Sequence, residues 1–182
     1  MARESRRDDL LAAALEEFKA KGYEGTSVTG IVERLGMSKA AFGYHVESKE
    51  QLMVELVDPL LTDLEAAVSP FPRHPTWPDE GRLLLAAYLD VLIRHRDLLV
   101  WVDADRAVLG HPVLGARLAA SNRRMREAIR GDSRSTAARL GASAVLGMLW
   151  RPLRNLTEID VAGDKETLLA AAVMVAENSR WS

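Results

Sequence analysis

Polar, basic and aromatic side chains are concentrated in a short segment between residues 38 and 49. Within eight positions it offers a hydroxyl, an ammonium, a phenol and an imidazole, from Ser38, Lys39, Tyr44 and His45. Such groups reach phosphate oxygens or the edges of bases. Phe42 and Val46, four positions apart, would share an apolar side of the same helix. The pattern predicts a short helix with an apolar face toward a core and a polar face suited to a DNA groove.

Capping residues specify the helix boundaries around this segment. Gly36 follows an apolar helical face, as expected where a chain leaves a helix through a left-handed conformation; that face contains Val28, Ile31, Val32 and Leu35. Ser38 can cap the next helix, and Ser48 with Gln51 matches the capping box that begins a third. Helix, tight turn and helix form a DNA-reading motif whose second helix lies in the major groove.

The run SKAAFGYHVESKEQL resembles the signature of the tetracycline-repressor family of bacterial transcription regulators. As in that family, an amphipathic helix ending in Gly22-Tyr23 and the run Thr26 to Val28 precede it. The resemblance covers roughly residues 6–56. It implies an all-α fold, with an N-terminal helix-turn-helix, three-helix DNA-binding head at residues 1–47. A helical ligand-binding and dimerisation domain is expected over residues 48–182.

The resemblance also implies roles for individual side chains. Lys39 and Lys49 would contact phosphates, and Tyr44 and His45 would reach phosphates or base edges. The full predicted DNA-binding set is Ser27, Thr29, Ser38, Lys39, Ala41, Gly43, Tyr44, His45 and Lys49. Gly43 departs from the family, which commonly has a tyrosine there. The glycine removes one DNA contact and costs about 1 kcal/mol of helix propensity relative to alanine.

Charge and composition limit the other classes of function. The 182 residues are 48% hydrophobic with a formal net charge of −2, and charge alone favours a solvated surface of mixed sign over a nucleic-acid binder. The basic residues Arg3, Arg6 and Arg7 form an expected arm ahead of the first helix. The absence of cysteine excludes disulfides and favours the reducing cytoplasm. No apolar run approaches the roughly 20 residues of a membrane helix, so no membrane association is predicted.

No pattern in the sequence predicts catalysis. There is no G-x-S-x-G, no phosphate-cradling glycine loop and no metal-ligand spacing among the histidines, His45, His74, His95 and His111. We predict that the chain is not an enzyme and has no catalytic residue, no metal site and no cofactor.

The remainder of the chain reads as helices. One helix is expected from Ser48 to about Val68 with Pro59 inside it, and a proline-rich connection follows over residues 69–78. Further helices are predicted over residues 79–95, 98–109, 113–130, 133–150 and 165–179.

Small residues on the last two long helices allow close helix approach. The predicted dimer interface consists of Gly141, Ala144, Val145, Met148, Leu168, Ala172 and Val175. The pattern alone fits packing within one chain equally well, and the resemblance favours a four-helix dimer interface. Trp101, Met148 and Trp150 are candidate ligand-binding residues, although aromatics at helical spacing are more often core.

Together these patterns and the resemblance predict a ligand-responsive dimeric transcriptional repressor. It would bind a palindromic double-stranded operator as a homodimer and be released by a small-molecule effector. Two alternatives stay open. One is a regulator of the same fold that activates; the other is a helical ligand-binding or scaffolding protein that has lost DNA binding.

Overall fold

The structure is a computed structural model that describes residues 2–156 and 158–180, and the described chain is helical without any strand. The all-α architecture predicted from the sequence is confirmed. No described helix is both long and apolar enough to cross a membrane. The helices are α1 (Ala2–Gly25), α2 (Val28–Arg34), α3 (Lys39–His45), α4 (Lys49–Val68), α5 (Asp79–Arg94), α6 (Arg96–Ala104), α7 (Arg106–Gly110), α8 (Pro112–Arg130), α9 (Thr136–Asn155) and α10 (Lys165–Arg180).

The first compact unit comprises Met1–Leu60 and Asp97–Ala116. Helices α1, α2 and α3 contact one another in this unit. Phe18 is almost completely buried, and its ring stacks on Trp101 of α6 with centroids 4.9 Å apart. The other fully or nearly fully buried apolar residues of this unit include Leu10, Ala14, Ile31, Val32, Phe42, Val46 and Leu52. The three-helix head therefore shares its core with part of the chain that follows about fifty residues later in sequence.

Two local predictions about the helices were wrong. Residues 98–109 do not form one helix, because Asp105 leaves the helical conformation and its carboxylate accepts the Ala107 amide at 2.9 Å, which caps α7. The expected basic arm is not an arm either, since α1 already begins at Ala2. Arg7 lies within this helix, and the side chain of Arg3 lies outside the described residues.

The second compact unit comprises Leu61–Arg96 and Arg117–Ser182. Helices α9 and α10 pack closely along their length, and α5 contacts both. A Cβ added at Gly141 would overlap the side chain of Ser179, so the two helices approach each other closely at this position, where α9 has no side chain. Val145 and Ala172 have no exposed surface, so their side chains are packed within the single chain.

Candidate nucleic-acid interface

Three serines begin the helices of the head. The Oγ atoms of Ser27 and Ser38 accept the amides of Gly30 and Ala41, each at 3.1 Å, at the starts of α2 and α3. Ser48 accepts the Gln51 amide at 3.0 Å at the start of α4. These bonds satisfy amides that have no partner inside the helix. The caps predicted at Ser38 and Ser48 are confirmed.

The turn between α2 and α3 also follows its sequence signal. Gly36 has a φ of 60°, in the left-handed region that glycine occupies without a steric cost. The predicted end of α2 at a glycine is therefore confirmed. The caps and this glycine fix the turn that sets the direction of α3.

Helix α3 divides into the two faces predicted from its spacing. Phe42 and Val46 are buried, at 4% and 2% exposure. On α3 and at its cap, four residues of the predicted DNA-binding set are exposed: Ser38, Lys39, Gly43 and Tyr44. Tyr44 is 68% exposed, and its ring meets the His45 ring edge-on with centroids 5.3 Å apart. Ala41 and His45 are half-buried. The exposed face thus presents an ammonium, a hydroxyl and a phenol together.

Three further members of the predicted DNA-binding set lie at helix starts. Ser27 is exposed and Thr29 half-buried on α2. Lys49 is half-buried, and its Nζ donates to the carbonyl oxygens of Tyr23 at 2.6 Å and Thr26 at 2.9 Å. The same ammonium lies 4.1 Å from the centroid of the Tyr23 ring. Lys49 therefore links the start of α4 to the junction between α1 and α2 by hydrogen bonds.

Arg7 holds the end of α3 against α1 and α4. Its Nη1 donates to the His45 carbonyl at 2.8 Å, and its Nε donates to Glu55 at 2.8 Å. Arg7 Nη2 also contacts the Glu55 carboxylate, which makes the pair bidentate. The hydrogen bond to Glu55 raises the pKa of Arg7. Arg7 thus fixes the C-terminal end of α3 through the His45 carbonyl.

An ion cluster under α2 involves Glu17, which is only 4% exposed. Its carboxylate accepts Arg34 Nε and Lys21 Nζ, each at 2.6 Å. The hydrogen bonds from Arg34 and Lys21 lower the pKa of Glu17. The enclosed carboxylate of Glu17 is therefore paired with two cations, which offsets the cost of burying its charge.

Asp105 supports the α1–α2 junction from the break between α6 and α7. Its Oδ2 accepts the Tyr23 amide at 2.5 Å and the Trp101 indole Nε1 at 2.9 Å. Burial raises the pKa of Asp105, but hydrogen bonds from Ala107, Tyr23 and Trp101 outweigh it, so that this pKa lies below its ordinary value. The amide of Tyr23 follows Gly22, where φ is 72° and the α1 helix breaks. One carboxylate thus holds the chain at this break.

Arg7 and Asp105 were missing from the predicted DNA interface, and both act by positioning it. Their partners are distant in sequence: 48 residues separate Arg7 from Glu55, and 82 separate Tyr23 from Asp105. Helix periodicity and capping patterns are local, so they carry no signal for such pairs.

Gly43 lies in open space on α3. A Cβ added there would meet no atom of the chain within 4 Å. No side chain of the described head therefore requires a glycine at this position. A steric need for glycine could come only from a bound partner such as a DNA backbone.

The candidate ligand residues belong to different compact units. Trp101 is 2% exposed in the first unit, where it contacts Phe18 and Asp105. Met148 and Trp150 line a groove of about 800 Å³ in the second unit, on α9 and beside α8. Arg151 stacks over the Trp150 ring at 5.3 Å. The groove is also lined by Leu140 and Ala144, so the predicted ligand and dimer residues partly share one surface.

Residues 10–56 match the family described as bacterial regulatory proteins, tetR family. The HTH-type transcriptional repressor KstR2 of Mycolicibacterium smegmatis is 29% identical over 110 residues, which cover 59% of this chain and 54% of that protein. The HTH-type transcriptional repressor AcnR of Corynebacterium jeikeium is 26% identical over 137 residues, which cover 73% and 66%. The chain thus spans about half to two thirds of the length of these curated relatives.

The fold is similar to that of a solved regulator. The structure of PfmR from Thermus thermophilus, a TetR family transcriptional regulator, aligns with a TM-score of 0.67 at 23% identity. The alignment covers 92% of this chain and 97% of PfmR, so the likeness in fold extends over the helical part beyond the head.

Proposed function

Because its N-terminal head belongs to the TetR family of bacterial regulatory proteins, we propose that this chain is a dimeric transcriptional repressor. It binds a palindromic operator and is released by a small-molecule effector. The observation that carries the proposal is the exposed polar face of α3, held over a buried Phe42 and Val46. The names of the curated relatives KstR2 and AcnR support repression as the direction of control.

DNA binding is proposed through the exposed face of α3. Lys39 and Ser38 contact phosphates, while Tyr44, which is 68% exposed, reaches a phosphate or base edge. Lys49 contributes differently in the folded chain, because its ammonium already bonds two carbonyl oxygens. Its contact with a phosphate would have to be made alongside these bonds or replace them.

Dimerisation is proposed through the outward face of α9 and α10. Large apolar side chains are exposed there, with Leu140 66% and Met174 62% accessible, and Ala144 is also exposed. Surfaces of this kind mark association sites. Because Val145 and Ala172 are fully buried, the contact surface narrows to the exposed residues around them. Two joined heads read successive major grooves about 34–36 Å apart, or a multiple of that spacing.

Release by an effector is proposed to act through the helices that enter both units. Helices α4 and α8 each contribute residues to both compact units. A small molecule bound in the second unit can shift the orientation of these helices and so the spacing of the two heads. It does so only if it binds the released state more tightly, since equal affinity for both states shifts nothing.

The domain division is part of the proposal. We assign DNA binding to residues 1–47 and effector binding with dimerisation to residues 48–182. The compact units do not follow this functional boundary, since the first unit extends to Leu60 and includes Asp97–Ala116. A functional head supported by later helices is consistent with both observations.

Fluorescence anisotropy with duplex DNA flanking the chain's own gene tests the proposal, because repressors of this type often control themselves or a neighbour. The wild-type chain should bind one fragment in preference to scrambled duplex, and Tyr44→Ala should weaken that binding. Lys39→Ala should weaken it as well. Lys165→Ala in α10 is the matched control for this loss of a lysine, since Lys165 lies in the second unit and pairs with Asp90. Absence of any preferential fragment would favour the helical binding protein without DNA function, and increased transcription from a bound promoter would favour an activator.

A further inference from the structure

A groove in the second unit is lined by an unusual number of cations. Its volume is about 790 Å³, and among the described residues only one carboxylate lines it, that of Glu127. Five arginines contribute to the lining: Arg123, Arg126, Arg130, Arg134 and Arg139. A concave surface with charge of one sign focuses an electrostatic field and concentrates counter-ions. The groove is therefore a candidate anion site, and none of its lining residues belongs to the interface proposed on α3.

The arginines reach the groove from three adjacent pieces of chain. Arg123, Arg126 and Arg130 follow one another at spacings of three and four residues, which places them on one face of α8. Arg134 lies in the turn before α9, and Arg139 lies in the first turns of α9. Like charges at these helical spacings repel one another. An anion bound in the groove would offset this repulsion.

These arginines also differ from others in the chain in their partners. Several arginines elsewhere pair with carboxylates: Arg7 with Glu55, Arg34 with Glu17, Arg82 with Glu166, Arg94 with Asp63 and Arg117 with Glu65. Within the described part of the chain, no carboxylate lies at ion-pair distance from Arg123, Arg126, Arg134 or Arg139. Their guanidinium groups retain the planar donor pairs that match phosphate oxygens.

The one carboxylate in the groove is already engaged. Glu127 is paired with Arg73, whose Nε lies 3.6 Å away. Arg130 Nη1 donates to the Ser133 carbonyl at 2.8 Å, which holds its side chain beside the turn. Neither contact neutralises the four remaining cations. The excess positive charge exceeds what a single phosphate, with at most two negative charges near neutral pH, would balance.

We propose that this groove binds a small molecule carrying two or more phosphate groups, held by Arg123, Arg126, Arg134 and Arg139. The Thr136 hydroxyl and the N-terminal end of α9 lie in the same lining and add donors of the same sign. Leu140, which is 66% exposed and also belongs to the proposed dimer surface, supplies an apolar wall for a base or another non-polar part of the ligand. The volume lies within the range of small-molecule sites.

If the groove is the effector site, the effector is a small molecule with two or more phosphate groups, and this regulatory role rests on the proposed function. Binding of such a molecule to the groove does not rest on the proposed function, because it can be measured without DNA. The two can be measured separately.

Isothermal titration calorimetry on the full chain, at about 50 mM salt where screening is weak, tests binding with sodium triphosphate, pyrophosphate and inorganic phosphate. Affinity should fall in that order and should fall with added salt. ATP should bind at least as tightly as triphosphate, because its base contacts the apolar wall. The double variant Arg134→Gln/Arg139→Gln should lose about tenfold or more in triphosphate affinity, since charge-assisted hydrogen bonds are removed.

Arg106→Gln is the control for the loss of an arginine, because Arg106 is exposed on α7 in the first unit and does not line the groove. It should leave triphosphate affinity unchanged. Both variants alter exposed side chains, and equal thermal unfolding of the three proteins confirms that they are folded. Equal triphosphate affinity in the double variant and in Arg106→Gln would overturn the proposal, as would binding of phosphate as tight as that of triphosphate.

Two other occupants are outcomes of the same experiment. If the double variant loses affinity for non-specific duplex DNA and the wild type shows no heat with triphosphate, the arginines serve DNA and the proposal is wrong. If the double variant sediments as a monomer and the wild type gives no heat with triphosphate, the arginines join two copies of the chain, and the proposal is equally wrong. For the regulatory part, triphosphate or ATP should change operator anisotropy in the wild type but not in the double variant. A chain that binds triphosphate without binding any operator would refute the proposed function alone.

Discussion

Replacing Gly43 by alanine should stabilise the chain, because the structure leaves room for a methyl group on a helix that now contains a glycine. Nothing lies within 4 Å of an added Cβ, and no left-handed φ is found at this position. The helix-propensity difference between glycine and alanine is about 1 kcal/mol in a helix interior. For a chain of 182 residues, this amount corresponds to a rise in melting temperature of about 2–4 °C.

Gly36→Ala is the matched control for Gly43→Ala. A Cβ at Gly36 also meets nothing within 4 Å, but its φ is 60°. The same substitution should therefore destabilise the chain there by about 1–2 kcal/mol, because the left-handed conformation is unfavourable for alanine. Differential scanning calorimetry of the two variants should show shifts of opposite sign. A lower melting temperature for Gly43→Ala would refute the view that α3 is a regular helix with an open position.

Gly43→Tyr then separates stability from DNA binding. A tyrosine at this exposed position adds a phenol beside Tyr44 and should tighten binding to non-specific duplex at low salt. The alternative is that bound DNA approaches the α3 backbone too closely for any side chain. In that case Gly43→Tyr would lose operator affinity while its melting temperature stays at or above that of the wild type, and the view of Gly43 as an open position for a DNA contact would be wrong.

Three further predictions concern charge, assembly and pH. Lys39→Ala should reduce the magnitude of the slope of log K against log salt by about 0.9 for each phosphate that the lysine neutralises, measured by anisotropy; an unchanged slope removes Lys39 from the interface. Leu140→Glu should give a folded monomer in sedimentation velocity, because a charge on a 66% exposed position opposes association but not folding; a persisting dimer places the interface elsewhere. Asp105→Asn should lower the melting temperature at neutral pH by weakening the bonds from Tyr23 and Trp101. The pKa of Asp105 in the folded chain lies below 3.8, so the stabilisation by its carboxylate is present above pH 3.8 and is lost as the pH falls through the folded value. The melting temperatures of the wild type and Asp105→Asn should therefore converge in acid. A constant difference down to the lowest pH would contradict the stabilising role of the Asp105 carboxylate.

The parts of the fold that the sequence predicted are those specified by local chemistry. Ser38 and Ser48 cap helices through amides three residues away, and Gly36 turns the chain through its own φ. Phe42 and Val46 share one helix face because of their spacing. Each of these features depends only on residues that are neighbours in sequence, so the amino-acid sequence is sufficient to predict it.

The errors arose where a tertiary contact competes with a local preference. Residues 98–109 have helical periodicity throughout, yet Asp105 breaks the helix because its carboxylate is used by Tyr23, Trp101 and Ala107 together. The small residues of α9 were ambiguous for a similar reason. Gly141 faces Ser179 within the chain whereas Ala144 faces outward, and only the packing of α10 distinguishes them.

The support of the α1–α2 junction explains why the functional head and the compact unit have different limits. Lys49 donates to the carbonyl oxygens of Tyr23 and Thr26, and Asp105, 82 residues after Tyr23, accepts the Tyr23 amide. Phe18 completes its core against Trp101. Residues 1–47 alone would lack every one of these partners while exposing the apolar face that Trp101 covers. The proposed DNA-binding face is therefore local in sequence, but its stability and orientation depend on α4, α6 and the break that follows α6. A substitution in these supporting elements should alter DNA binding without changing a residue of the proposed face.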